Sequence, residues 1–197
     1  MSSIAFTGNR DYTDTGALYR GLDGVSADTY YFGGARGADT DALQYIAKTQ
    51  PASERIVVVP NRLADQPVAV RSIIQRDATR IIELGNSGPG RYQVRNQYMV
   101  NHADRVVAFT DGRKTGGTFN TITYANTQGK GVELIEWVNV DKNIVMAMNE
   151  RELIDWLGKC ETQKVPELAV KGMTIAAMKK MPRSSWPAVL GRLRRLR

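Results

Sequence analysis

Apolar residues gather in short, uninterrupted runs along the chain. Ile4-Ala5-Phe6-Thr7 stops at Gly8, Thr29-Tyr30-Tyr31-Phe32 stops at Gly33-Gly34, and Arg55-Ile56-Val57-Val58-Val59 stops at Pro60. Arg105-Val106-Val107-Ala108-Phe109 runs into a loop at Asp111-Gly112, and Val132-Glu133-Leu134-Ile135 follows Gly129-Lys130-Gly131. Runs this short, rich in Val, Ile and aromatics, read as strands buried on both faces of a parallel sheet. Between them apolar residues recur at helical spacing. Asp14–Leu22 carries Leu18 and Leu22, and Ala38–Lys48 carries Ala42, Leu43, Ile46 and Ala47. Val68–Leu84 carries Val70, Ile73, Ile74, Ile81 and Leu84 and reads as one long helix. Tyr92–Ala103 carries Met99 and Val100, and Thr118–Gln128 carries Ile122 and Ala125.

Strand–helix alternation of this kind predicts right-handed crossovers and an α/β fold, a Rossmann-like, doubly wound, mostly parallel sheet. The alternation ends after Ile135. The reading therefore divides the chain into a domain over 1–147 and a helical, basic extension over 148–197. In the extension Asn149–Leu157 reads as a helix with an Asn149 N-cap, and Pro166, Pro182 and Pro187 break up the remainder.

Charge sharpens this division. The 197 residues include 27 basic and 20 acidic side chains, a net charge of +7. Residues 171–197 hold eight of the basic groups and no acid, which leaves 19 basic against 20 acidic residues elsewhere. A near-neutral body thus carries a cationic tail. Such a tail attracts nucleic acid by counterion release, or serves only as a solvated helical end; both readings stay open. The single Cys160 and single His102 exclude a disulfide framework, a Cys/His zinc site and an iron–sulfur cluster, so no metal or cofactor is expected. No apolar run approaches the ~20 residues of a membrane span, and Met1-Ser2-Ser3-Ile4 lacks the charge block of a signal peptide. The expectation is a cytoplasmic protein without a membrane partner; a homo-oligomer is left open.

In an open α/β sheet, ligands bind outside the carboxyl ends of the strands. Three glycine-bearing segments fall there: Gly8-Asn9-Arg10-Asp11, Gly33-Gly34-Ala35-Arg36-Gly37-Ala38-Asp39, and Lys114-Thr115-Gly116-Gly117-Thr118. Each precedes a helix, whose first N–H groups and positive dipole end suit a phosphate. Arg10, Arg36 and Arg95 add forked, permanently charged donors, and Asn96 follows Arg95 near the start of its helix. None of these loops has the phosphate-loop lysine signature or G-x-G-x-x-G, which argues against a P-loop NTPase and an ordinary dinucleotide dehydrogenase.

Taken in order, Thr7-Gly8-Asn9-Arg10-Asp11-Tyr12, Gly33-Gly34-Ala35-Arg36-Gly37-Ala38-Asp39-Thr40, Arg95-Asn96-Gln97-Tyr98-Met99, Ala103-Asp104-Arg105-Val106-Val107-Ala108-Phe109 and Gly116-Gly117-Thr118 resemble the YspA/YpsA-like branch of the SLOG superfamily. That superfamily joins the DNA-processing protein DprA with the Lonely Guy (LOG) cytokinin-activating hydrolases. The resemblance covers roughly residues 4–135 and implies a Rossmann-like sheet whose strand ends bind nucleotides or nucleotide-derived ligands. LOG hydrolases carry P-G-G-x-G-T-x-x-E, and their glutamate and an arginine drive N-glycosidic cleavage. Arg95 matches that arginine, but Thr121 stands where the glutamate would be. Asp11, Asp39 or Asp111 could stand in for it, although Asp39 also suits a helix start and Asp11 a loop. The stretch from Asn61 to Gly90 is longer than a simple crossover and is expected to supply a helix that lids or flanks the pocket.

The expected function is binding of a nucleotide or nucleotide-derived phosphorylated ligand, in a sensing or nucleotide-processing role. The expected contacts are Gly8, Asn9, Arg10, Gly33, Gly34, Ala35, Arg36, Gly37, Asp39, Arg95, Asn96, Gly116, Gly117 and Thr118. Two alternatives are a nucleoside 5′-monophosphate N-glycosidase of the LOG type and a DprA-like single-stranded nucleic-acid-binding protein using the tail 171–197. Catalytic residues are left unassigned.

Overall fold

Six strands, all parallel, form the sheet in a computed structural model that describes residues 1–12 and 14–137. They are β1 (Ser3–Gly8), β2 (Thr29–Phe32), β3 (Glu54–Val59), β4 (Arg80–Glu83), β5 (Arg105–Thr110) and β6 (Gly131–Glu136), in the order β4-β3-β2-β1-β5-β6. Helices α1 (Thr15–Asp23), α2 (Ala38–Thr49), α3 (Val68–Asp77), α4 (Arg91–His102) and α5 (Gly116–Thr127) make the crossovers. The expected helix Asn149–Leu157 and the basic segment 171–197 lie outside the described residues, as does the expected boundary at 147. Among the described residues no helix is long and apolar enough to cross a membrane.

Alternation along each strand splits the core into two layers. Ile4, Phe6, Val57, Val59, Val107 and Phe109 face one side, where Leu18, Leu22, Leu43, Ile46 and Ile74 of α1, α2 and α3 cover them. Ala5, Ile56, Val58, Val106 and Ala108 face the other, under Met99 and Val100 of α4 and Ala125 of α5. The helices divide this way because right-handed crossovers run in one direction from β1 to β4 and in the reverse direction through β5 to β6. That reversal leaves β1 and β5 adjacent, with Gly8 opposite Phe109 at their carboxyl ends.

The single helix expected over Val68–Leu84 is corrected to helix α3 followed by strand β4. The helix stops where Ala78 turns extended (φ −77°, ψ 140°). Arg55 of β3 then takes over: its Nε donates to the carbonyl of Asp77 (2.8 Å), and its backbone N–H donates to Thr79 Oγ1 (2.8 Å). Thr79 N–H donates in turn to the Arg55 carbonyl (2.9 Å). Ile81 and Ile82 are β-branched and extend the ladder on β3. The spacing of Ile81 and Leu84 only imitates helical periodicity, and a half-exposed edge strand lacks the continuous apolar run that marks the others.

Candidate functional site

A cleft of about 340 Å³ opens at the carboxyl ends of β1 and β5, the reversal point where ligands of open α/β sheets bind. The loop after β1 supplies Thr7, Gly8, Asn9, Arg10 and Asp11, and the loop and helix start after β2 supply Ala35 and Asp39. Helix α4 contributes Arg95, Asn96 and Met99; the loop into α5 contributes Arg113, Thr115, Gly116, Gly117 and Thr118. All three glycine segments thus meet at one edge of the sheet. Gly33, Gly34, Arg36 and Gly37 stand in the middle segment but do not line the cleft. Gly33 makes room for Arg95, and Gly34 faces Val57 and Ile74 in the core. Gly37 (φ +95°) turns the chain beside the Arg10 carbonyl, and Arg36 is exposed. No residue of the 61–90 stretch lines the cleft, so of the expected lid or flank it supplies no lid; its helix α3 packs on α2 and places Ile74 behind Gly34.

Arg95 dominates the site. Its side chain is buried, and its Nε donates to Asn96 Oδ1 (2.8 Å). Among the described residues its two terminal nitrogens make no hydrogen bond. Its guanidinium lies directly over Gly33, beside the carboxylate of Asp39. Burial lowers the Arg95 pKa from its ordinary value against the pull of Asp39; a guanidinium stays charged under such a shift. Burial likewise pushes the Asp39 carboxyl up, opposed by Arg95, the Ala35 amide, Arg10 and the Gly8 amide. The Ala35 N–H donates to Asp39 Oδ2 at 3.3 Å. A cation with unspent donors therefore sits in a low-dielectric wall facing the first turn of α5, where Thr115 provides no side-chain cap. That combination suits an anion.

Asn9 is as much a fastener as a contact. Its side-chain Oδ1 accepts from the Asp111 N–H (3.0 Å) and from Trp137 Nε1–H (3.3 Å), and its own N–H donates to the Phe109 carbonyl (3.0 Å). The loop after β1 is thereby tied to the loop after β5. Trp137 stacks on Phe109 at 5.9 Å, and Tyr12 meets Phe109 edge-on at 5.1 Å. The Tyr12 hydroxyl donates to Asp41 on α2, and burial together with that carboxylate raises its pKa.

Sequence reasoning missed Arg113. Asp111 accepts from its backbone N–H (3.3 Å), from Nε and from Nη2 (2.7 Å), so the guanidinium is folded back into a local Asp-Gly-Arg turn. The Asp-Gly turn dipeptide was the available signal. Pairing with Asp111 raises the Arg113 pKa and leaves that carboxylate engaged. Thr121, at the position of the LOG glutamate, is fully buried and donates to the Gly117 carbonyl (2.8 Å). The carboxylates lining the cleft are Asp11 and Asp39.

No family model matches the chain. The chain is 28% identical over a 123-residue alignment to the uncharacterized SPbeta prophage-derived protein YoqJ of Bacillus subtilis (strain 168), an alignment spanning 52% of this chain and 71% of that protein. Among solved structures, DNA processing protein A (DprA) from Streptococcus pneumoniae superposes with a TM-score of 0.52 at 19% identity, over 68% of this chain. This chain spans half the length of that DprA chain. The all-parallel, six-stranded Rossmann-like sheet is thus a fold shared with DprA.

Proposed function

We propose that the cleft binds a nucleotide or nucleotide-derived phosphorylated ligand, with its phosphate against Arg95 and the first turn of α5. The observation that carries this reading is the buried Arg95 guanidinium, whose terminal nitrogens make no hydrogen bond among the described residues. Burying a charge without full compensation is costly, and an anion at this position supplies the compensation. A cleft of about 340 Å³ is of small-molecule size. The ordered glycine and arginine motifs, together with the fold shared with DprA, support placing the chain in the SLOG superfamily, in its YspA/YpsA-like branch, in a sensing or nucleotide-processing role. Of the expected contacts, the exposed Arg10 lines the cleft and the exposed Arg36 stands outside it.

Calorimetric titration with inorganic phosphate, ribose 5-phosphate and nucleoside monophosphates tests the reading. Saturable binding is expected, and Arg95→Lys should weaken every phosphate ester about 10-fold, because lysine keeps the charge but loses the planar fork. Equal affinity in parent and variant would remove Arg95 from the site.

The geometry favours binding over LOG-type hydrolysis. Glycosidic cleavage needs a carboxylate beside the reacting carbon, and Thr121 brings a hydroxyl already spent on the helix backbone. Chromatography after incubation with nucleoside monophosphates is expected to show no free base. Rapid base release would assign the chemistry to Asp11 or Asp39. A second reading, DprA-like binding of single-stranded nucleic acid, is favoured by the likeness to a DNA processing protein together with the eight cations of residues 171–197.

A further inference from the structure

Helix α4 links the carboxyl end of β4 to the start of β5, so its N-terminus stands at the same sheet edge as the cleft. Arg95, Asn96 and Met99 line the cleft. Tyr92 precedes them by three, four and seven residues, the spacing of a single helical stripe. Exposure rises along that stripe from 1% at Met99, through 6% and 7% at Arg95 and Asn96, to 48% at Tyr92. The stripe therefore runs from the cleft wall at Met99, Arg95 and Asn96 out to solvent at Tyr92, which lies beyond the residues that line the cleft. Tyr92 precedes Arg95 by just under one helical turn, about 4.5 Å of rise along the axis, and its phenol bears electrostatically on Arg95. Its ring is steadied on one side: the Arg91 guanidinium carbon lies 5.0 Å from the ring centroid. Arg91 is itself held by a hydrogen bond from Nη1 to the Ser87 carbonyl (3.2 Å).

An exposed aromatic ring, steadied by a cation and one helical turn from an anion seat, matches the layout of a nucleotide, in which a planar base and a phosphate are joined by one sugar. We infer that Tyr92 is the stacking platform for the base, so that the site takes a nucleoside phosphate read at both ends, phosphate at Arg95 and base on Tyr92. The inference rests on the phosphate reading above and deepens it. Stacking on an aromatic ring tolerates any base, because every base has a π-face. The Tyr92 contact thus confers preference for nucleosides over simple sugar phosphates without choosing among bases.

The test is calorimetric titration of the full chain with the four common nucleoside 5′-monophosphates and with ribose 5-phosphate, for the parent, Tyr92→Leu and Tyr92→Phe. The parent is expected to bind the nucleoside monophosphates roughly 5- to 150-fold more tightly than ribose 5-phosphate, the range of base–aromatic stacking. Tyr92→Leu should erase that margin and leave ribose 5-phosphate affinity unchanged, whereas Tyr92→Phe should keep it. Because Tyr92 is exposed, the melting temperature should stay near that of the parent in both variants. Equal parental affinity for ribose 5-phosphate and the nucleotides, or equal losses for both ligand types in Tyr92→Leu, overturns the Tyr92 assignment while leaving the phosphate seat standing. Absence of binding to every phosphate ester overturns the phosphate reading and this inference with it.

Discussion

Gly33→Ala is expected to cost most of the cleft's affinity for phosphate while leaving the sheet intact. A Cβ built on Gly33 would lie 2.1 Å from Arg95 Nη1, 2.5 Å from Arg95 Cζ and 2.7 Å from Asp39 Oδ2. No real contact is that short, so the guanidinium must leave its seat. Losing charge-assisted hydrogen bonds of about 1.5–3 kcal/mol each corresponds to a loss of roughly 10- to 150-fold per bond, and displacement forfeits both terminal nitrogens together. The neighbouring Gly34→Ala is the matched control. Its backbone is left-handed (φ +61°), and its added Cβ would meet Val57 Cγ1 at 2.9 Å and Ile74 Cδ1 at 3.0 Å. That substitution should destabilise the fold by roughly 1–3 kcal/mol with affinity retained in the folded fraction. Phosphate titration and thermal unfolding of both variants separate the two outcomes; a Gly33→Ala protein that binds normally would mean Arg95 does not hold the ligand.

The second large effect is expected at Asn9. Asn9→Ala removes the buried acceptor shared by the Asp111 amide and the Trp137 indole and so breaks both hydrogen bonds. At about 1–3 kcal/mol for each buried donor that loses its acceptor, stability should fall by about 2–6 kcal/mol, a drop of roughly 5–20 °C in the melting temperature for a domain of this size. The loops after β1 and β5 would also lose their tie, so phosphate affinity should decline with stability. Trp137→Phe removes only one of the two bonds and should cost less. In the double variant the losses should be less than additive, because both substitutions break the same bond. Strict additivity of melting shifts would show that the indole does not bond to Asn9.

How much of the site could be read in the sequence follows from the range of the forces involved. Gly8, Arg10, Arg95 and Gly116-Gly117-Thr118 were legible because glycine after a strand and an arginine at a helix start are local patterns. Nothing local separates Gly33 from Gly34: one touches Arg95, 62 positions away, and the other touches Val57 and Ile74. Asn9 lines the cleft as expected, but its second part as a fastener shows only once Trp137, 128 positions on, is seen bonded to its side chain. The local Asp111-Gly112-Arg113 turn carries no sign that Arg113 lines a cleft; that follows only from β5 ending beside β1.

Periodicity and turn residues alone determined the parallel α/β architecture, the strands β1, β2, β3, β5 and β6, and the edge of the sheet where the glycine loops gather. A strand buried on both faces must be apolar throughout, and a helix covering it must be apolar on one side, so composition over a few residues carries that information. Tertiary structure decided the rest: the edge strand β4, whose half-exposed residues carry no such run; the burial of Arg95 with its terminal nitrogens outside any hydrogen bond among the described residues; and the exposure of Tyr92. Burial and hydrogen-bond satisfaction at those places depend on which distant elements come together, and the order β4-β3-β2-β1-β5-β6 sets that only after the chain has crossed back over its own first strand.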